Sequence, residues 1–176
     1  MKNFSHNKYI EIAEFSIHLF SHSAFELEEG YWPFEKNEGD FKADFNIECV
    51  LNLPDKLPFE ITNPVFEAEN EQQKFYSIYR LDQGLGIVIY NQQDVNQIQQ
   101  IALLDESFTN WKVYSSSSTD KYLPLKYPMG PILMHYITLK TNAVMMHASC
   151  AYDGVKARIF TGFSGAGKST MSMIWS

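Results

Sequence analysis

The chain has 176 residues, of which 45% are hydrophobic and 15% aromatic, enough to fill a core and to exclude wholesale disorder. Its net charge of −7 at pH 7 argues against a nucleic-acid partner or an anionic membrane surface. No signal peptide pattern begins the chain, and no apolar run approaches the ~18 residues that a membrane helix needs. We therefore expect a cytoplasmic protein. Cys49 and Cys150 lack the spacing of a disulfide framework or metal site, and we expect two buried free thiols.

Alternating patterns near the N-terminus predict strands. Tyr9 to Phe20 alternates in two registers, which we interpret as one strand with a bulge or kink near Ala13-Glu14. Phe41 to Leu53 places apolar side chains on one side and polar ones on the other. That pattern is typical of an antiparallel sheet with one face on a core and one face in water.

A predicted hairpin and a further strand complete this β-rich part. Phe75–Leu81 and Leu85–Tyr90 are strand-like runs that flank a short turn sequence. Gly86 is either a β-bulge, which we favour, or a glycine that faces a pocket. Trp111–Ser115 is another predicted strand, and the serine-rich segment 115–120 is typical of a linker. These features divide the chain into a β-rich region, 1–120, of unassigned role and a second region, 121–176.

The second region begins with a helix and a hairpin. Ile132–Lys140 has helical spacing that Asn142 ends, and Ala143–Tyr152 is predicted to be a largely buried strand. Asp153-Gly154 is typical of a two-residue hairpin turn, after which Val155–Thr161 returns. Counting outward from such a turn places Tyr152 opposite Val155, and His147 opposite Phe160.

The strongest motif follows directly. Residues 162–170 fit the phosphate-binding pattern G-x-x-x-x-G-K-[ST] at every fixed position, between a predicted strand and an apolar helix. Its glycines allow a tight concavity of inward-pointing amides, Lys168 supplies a charge for the outer phosphates, and Ser169 completes a magnesium shell. The predicted contacts to ATP or another nucleoside triphosphate with Mg²⁺ are Gly162, Phe163, Ser164, Gly165, Ala166, Gly167, Lys168, Ser169 and Thr170.

Other polar residues carry weaker signals. From its predicted pairing, His147 is either a hydrogen-bonded strand histidine or a group that reaches the phosphate pocket for proton transfer. Ser149 on the same strand has two interpretations, a similar polar contact or packing within the strand, of which we favour packing. His18 and His22 have a ligand-like spacing, but the sequence places no third ligand beside them. Glutamates 26, 28 and 29 are expected to form a solvated loop.

The stretch from Leu125 through Ser176 resembles the start of the catalytic domain of HPr kinase/phosphorylase and its related proteins. The likeness rests on Pro128-Met129-Gly130-Pro131 before an apolar helix, Met146-His147-Ala148-Ser149, the Asp153-Gly154 turn and the glycine loop. The S-G-x-G-K core is also similar to ATP-dependent phosphoenolpyruvate carboxykinase, which shares that family's nucleotide-binding fold. The resemblance covers roughly the last third of the chain.

The resemblance implies an α+β fold in which mainly antiparallel strands precede the first helix, hairpin and P-loop of a PEP-carboxykinase-like domain. It also implies ATP with magnesium, phosphoryl transfer to a protein or small-molecule hydroxyl, and an active-site position for His147. That family's catalytic aspartate and remaining metal ligands follow the loop, so we expect a chain truncated just after the Walker A motif and inactive alone. Thr170 stands where HPr kinases carry an acidic residue.

Two functions remain open from the sequence. One is the N-terminal portion of an HPr-kinase-like phosphotransferase. The alternative is a non-catalytic module of that descent that binds a partner or a nucleotide. In either case apolar side chains after the loop are expected to favour self-association; they are Met171, Met173, Ile174 and Trp175.

Overall fold

The computed structural model describes residues 4–39, 42–71, 73–116 and 124–175. The fold is α+β and strand-rich, with one large, mostly antiparallel sheet. The chain forms two compact units, Met1–Thr141 and Asn142–Ser176. The strands are β1 His6–Ile12, β2 Phe15–Ser21, β3 Glu35–Lys36, β4 Phe45–Leu51, β5 Phe66–Asn70, β6 Gln73–Leu81, β7 Gly84–Tyr90, β8 Ile98–Leu104, β9 Asn110–Ser115, β10 Ala148–Tyr152 and β11 Ala157–Thr161; the α-helices are α1 Met129–Thr141 and α2 Lys168–Trp175, and a 3-10 helix spans Glu29–Phe34.

The first unit is built on a nine-stranded sheet in the order β3-β1-β2-β4-β9-β8-β7-β6-β5. Most neighbours are antiparallel and joined by hairpins, as the alternating patterns predict. Two pairs, β2 with β4 and β4 with β9, are parallel and tie the two hairpin groups into one sheet. The mainly antiparallel character predicted from the sequence is therefore confirmed.

The predicted single strand from Tyr9 to Phe20 is wrong, because this segment is a tight hairpin. Ala13 and Glu14 both have positive φ, 49° and 70°, which is the geometry of a two-residue hairpin turn. Ile12 pairs with Phe15, so the two registers of alternation belong to two strands. The change of register near Ala13 is the turn itself.

The other strand predictions differ from the structure mainly in their ends. The predicted strand Phe41–Leu53 is confirmed as the shorter β4, although residues 40 and 41 lie outside the described part. Its expected antiparallel pairing is wrong, because β4 is parallel to both of its neighbours, β2 and β9. The hairpin of β6 and β7 and the strand β9 are confirmed. The bulge at Gly86 is wrong: Gly86 pairs regularly with Tyr79, and the irregularity in β7 falls at Ile89/Tyr90.

The core of the first unit lies between one face of the sheet and helix α1. Leu133 and Ile137 of α1 are fully buried, and Tyr136 packs edge-on against Trp111 at 5.7 Å between ring centroids. The helix ends at Thr141, and the next residue, Asn142, has φ of 54°, the left-handed conformation of a C-terminal cap. The predicted helix and its stop are confirmed. Its sheet contacts place α1 in the first unit, whereas the sequence-based boundary near residue 120 falls in 117–123, outside the described residues.

The second unit consists of the hairpin of β10 and β11 followed by α2. Both strands are shorter than predicted: β10 begins at Ala148 rather than Ala143, and β11 begins at Ala157 rather than Val155. Most of the unit's side chains are exposed, so the predicted burial of these strands is wrong, apart from Ala151. None of the helices in the described residues is both long and apolar enough to span a membrane.

Candidate phosphate-binding site

Glycines give the loop between β11 and α2 its shape. Gly165 and Gly167 adopt φ of 80° and 77°, and Gly162 adopts 155°, a region that residues with a Cβ rarely enter. The Ala166 amide donates to the Phe163 carbonyl at 3.2 Å, which closes a turn within the loop. Alternation of left-handed and ordinary conformations in this way turns successive amides toward one concave side, as anion-binding nests do.

The loop leads directly into the N-terminus of α2. The first helical hydrogen bond runs from the Met171 amide to the Gly167 carbonyl at 2.9 Å. The amides of Lys168, Ser169 and Thr170 therefore precede the internal ladder of the helix and have no partner within it. Together with the positive end of the helix dipole, they form a set of donors suited to phosphate oxygens.

Lys168 lies across the loop that it follows. Its Nζ donates to the carbonyls of Gly162 at 3.0 Å and Phe163 at 3.1 Å. An ammonium has three donor hydrogens, so one donor remains for a ligand even in this arrangement. The side chain is held beside the concave amides, where its positive charge adds to the partial charges of the donors.

Ser149 fixes the start of α2 relative to the hairpin. Its hydroxyl donates to the Lys168 carbonyl at 2.6 Å, which joins the middle of β10 to the first residue of the helix. The sequence analysis favoured packing for Ser149 over a polar contact, and it did not foresee this bond to the helix. The sequence could have indicated this contact, because β10 was predicted to pair with the strand that enters the loop.

The opposite end of the hairpin is held by charges. Asp153 accepts hydrogen bonds from the amides of Val155 and Lys156 at 3.0 and 2.8 Å, and it pairs with Arg158. These bonds, chiefly the one from Arg158, lower the pKa of the Asp153 carboxyl below its ordinary value. The Arg158 guanidinium also lies over the Trp175 ring at 4.7 Å, so it connects β11 to the end of α2.

The predicted pairing of the hairpin is wrong by two residues. Tyr152 pairs with Ala157, because the hydrogen bonds to the Asp153 carboxylate extend the turn from two residues to four. Phe160 therefore faces Ser149 rather than His147. His147 lies one position before Ala148, on the loop side of the hairpin; its side chain is exposed and no hydrogen bond joins it to the other described residues.

The remaining loop side chains are open to solvent. Phe163 is 82% exposed, and Ser164, Ser169 and Thr170 are also exposed. In this unit the hydroxyl of Ser169 stands in the first turn of α2, where a phosphate-bound Mg²⁺ would meet it. The residues that fit a nucleotide with magnesium are thus the loop amides, Lys168 and Ser169.

The weaker candidate residues from the sequence analysis are distant from this loop along the chain. His18 stacks on Tyr9 at 4.7 Å and shares a hydrogen bond of 2.9 Å with Asn7, and burial lowers its pKa. Nowhere in the described residues do three or more His, Cys, Asp or Glu side chains come together as a metal site would require. Cys49 is buried as predicted, and burial raises its pKa, but Cys150 is exposed because it points away from the side that buries Ala151.

One carboxylate side chain, Asp153, occurs in residues 142–176. It lies at the turn end of β11, whose five residues separate it from the loop by roughly 15 Å. The unit thus offers donors and a cation to phosphate, and places its one acid elsewhere. No family model matches the chain, and neither a curated protein nor a solved structure matches it.

Proposed function

We propose that the chain binds the phosphates of ATP, or of another nucleoside triphosphate, with Mg²⁺ through residues 162–170. The observation that carries the proposal is the direct succession of strand, glycine loop and helix. Within it the Lys168 side chain crosses the loop, and the first amides of α2 have no partner inside the helix. The motif and its setting agree, as the mechanism of a phosphate loop requires.

By its resemblance, we place the chain in the cytoplasm as the N-terminal portion of an HPr-kinase-like phosphotransferase with a PEP-carboxykinase-like nucleotide fold. In such a reaction the γ-phosphoryl group passes to an acceptor hydroxyl and ADP leaves. With ATP and magnesium bound, the loop amides and Lys168 would hold the outer phosphates, and Ser169 would ligate the magnesium, which supplies charge neutralisation to the transferring group. His147, on the loop side of the hairpin, is the proposed proton-transfer group, and the acceptor is a protein or a small molecule.

The alternative is a non-catalytic module that binds nucleotide or a partner. The position of Asp153 favours it: no carboxylate of residues 142–176 lies near the loop to act as a general base or as a second metal ligand. Positioning and charge stabilisation of a transferring phosphoryl group need such groups. As the resemblance implies, the 176-residue chain is expected to bind Mg-ATP without appreciable turnover, and measurable transfer that Lys168→Ala abolishes would contradict this.

Calorimetric titration of Mg-ATP into matched lysine variants tests the binding proposal. Lys168→Ala is expected to weaken binding at least tenfold, about 1.4 kcal/mol, because it removes the charge nearest the phosphates. Lys156→Ala is the control, since it removes the same charge from the same unit at the far turn. Equal affinity of Lys168→Ala and the unmodified chain, or equal losses in both variants, would exclude this loop as the site.

A further inference from the structure

The segment between β4 and β5, residues 53–64, crosses the first unit without joining its hydrogen-bond ladders; we name it the strap. Its two ends are fixed, by a bond from the Asn52 amide to the Ser115 carbonyl at 2.9 Å and one from the Val65 amide to the Ile78 carbonyl at 2.8 Å. Between these bonds, no backbone hydrogen bond links the strap to the other described residues.

The composition of the strap explains this. Three prolines lack the amide hydrogen that a ladder needs and keep their backbone extended; they are Pro54, Pro58 and Pro64. Asn52, at the entry, has φ of 82°, a left-handed conformation that asparagine tolerates better than most residues. The strap is therefore an irregular segment that bends at its start and again at residues 55–56 and 58–59.

One aromatic ring seats the strap on the sheet. A Cβ added at Gly86 would lie 2.7 Å from both Cε1 and Cζ of Phe59, so the ring occupies the space that a side chain of residue 86 would fill. Tyr79, which pairs with Gly86 across the ladder, packs against the same ring at 5.6 Å between centroids. Gly86 is thus the floor of a seat for one phenyl ring.

Two clefts are lined in part by residues of the strap. One, of about 370 Å³, is lined by Lys112 and Leu103 among others, and a second, of about 540 Å³, is lined by Arg80 and Thr62 among others. The two clefts share three wall residues, Pro58, Leu81 and Gln83. Pro58 belongs to the strap and precedes the seated ring, so the strap forms part of the wall between the clefts.

We propose that the strap is a hinged cover on this face of the sheet, and that Phe59 is its latch. Release of the ring frees the strap between Asn52 and Val65 without unpairing β4 or β5, because the ladder bonds of those strands lie outside it. The two clefts, which share Pro58 as a wall residue, then join into one groove. Local opening of this kind requires few hydrogen bonds and few buried contacts, and the strap has few of either.

Trypsin digestion of the folded chain tests the latch, because Lys56 lies within the strap and is followed by Leu57. Gly86→Ala is expected to expel the ring: the new methyl group meets the far end of a side chain, and Gly86 does not need a positive φ. We expect the fragment that begins at Leu57 to form at least tenfold faster, as followed by mass spectrometry. Phe59→Ala removes the latch without altering a strand and should give the same result.

Val88→Ala is the control, since Val88 is buried two residues along the same strand and the same face. In this variant the ratio of the cleavage rate at Lys56 to the rates at other sites is expected to stay unchanged. An unaltered rate of cleavage at Lys56 in Phe59→Ala would overturn the proposal. So would a rise at all lysines together in Phe59→Ala and Val88→Ala, because that pattern reports global unfolding rather than release of the strap.

Discussion

The two units organise their residues in opposite ways. Residues 1–141 form a deep core, whereas in the described part of residues 142–175 the buried hydrophobic residue is Ala151. The first unit is held by burial of apolar side chains. The second is held by hydrogen bonds and charges, including Ser149 to the start of α2 and Asp153 to Arg158.

Charge separates the units as well. Residues 142–176 contain three basic residues and one acidic residue, a net charge of +2, so residues 1–141 carry −9 of the total of −7. The overall acidity of the chain therefore describes its first unit. The loop at residues 162–170 thus belongs to a unit of net positive charge, which is compatible with the anionic ligand proposed for it.

The largest expected effect comes from truncating one isoleucine in each unit, which compares the contribution of burial to stability in the two units. Ile47 is fully buried in the middle of β4, and Ile159 is 62% exposed in the middle of β11. Ile47→Ala is expected to lower the free energy of unfolding by about 3 kcal/mol through lost burial and a residual cavity. Ile159→Ala should change it by less than about 0.5 kcal/mol. Urea unfolding followed by circular dichroism measures both, and similar losses would contradict the contrast.

A smaller effect is expected at the hydrogen bond that holds α2. Ser149→Ala removes the donor to the Lys168 carbonyl and should cost about 1 kcal/mol locally, which corresponds to roughly fivefold faster hydrogen exchange at the Met171 amide and the bonded amides that follow it in α2. Ser149→Thr keeps the hydroxyl and suits a strand, so it should retain most of the protection. Protection that is the same in Ser149→Ala and the unmodified chain would show that this bond does not hold the helix.

How far the sequence predicted the molecule depends on whether a feature is local. The helix α1, its stop at Asn142 and the hairpin of β6 and β7 follow from periodicity and turn residues, and all are confirmed. The parallel pairing of β4 with β2 and β9 was beyond reach, because alternation reveals which face of a strand is buried but not which strand lies beside it.

The errors have local physical causes. At Asp153, hydrogen bonds to the side chain determine the length of the turn, which the Asp-Gly pair alone does not predict. The turn has two more residues than predicted, so every pairing between β10 and β11 differs from the predicted one. At Ala13 and Glu14, residues other than glycine adopt positive φ, so no turn signal was visible. The role of Gly86 could not be predicted from the local sequence, because it depends on the Phe59 ring, which belongs to a different segment of the chain. The glycine loop was identified because its motif encodes backbone conformation directly; its role as a nucleotide site stays a prediction.

The smallest expected effect compares two carboxylates, Asp105 in the first unit and Asp153 in the second. Burial raises the pKa of Asp105, but hydrogen bonds from Asn110 and Ser107 outweigh it and leave the pKa lowered. Both groups should titrate below the ordinary value of 3.8. A lowered folded pKa stabilises the fold above the unfolded value, and that contribution is lost as the pH falls below 3.8 through the folded pKa.

Carboxyl NMR titration of the folded chain measures both midpoints. Arg158→Gln should return the midpoint of Asp153 toward 3.8, because the bond from Arg158 is the largest cause of its shift, and should leave Asp105 unchanged. A midpoint of Asp153 at or above 3.8 in the unmodified chain would contradict the assigned role of the Asp153–Arg158 pair.

The most direct measurement of the central claim is a titration of Mg-ATP into the ¹⁵N-labelled chain, followed through its backbone amide resonances. Binding by the loop predicts saturable shifts concentrated in residues 163–170, where Lys168 crosses the loop and the free amides of α2 begin. The same titration of Lys168→Ala should require at least tenfold more ligand, and β7 and β8 should remain unshifted in both. Loop amides that do not move, or shifts that saturate only in the first unit, would contradict the claim that residues 162–170 bind nucleotide phosphates.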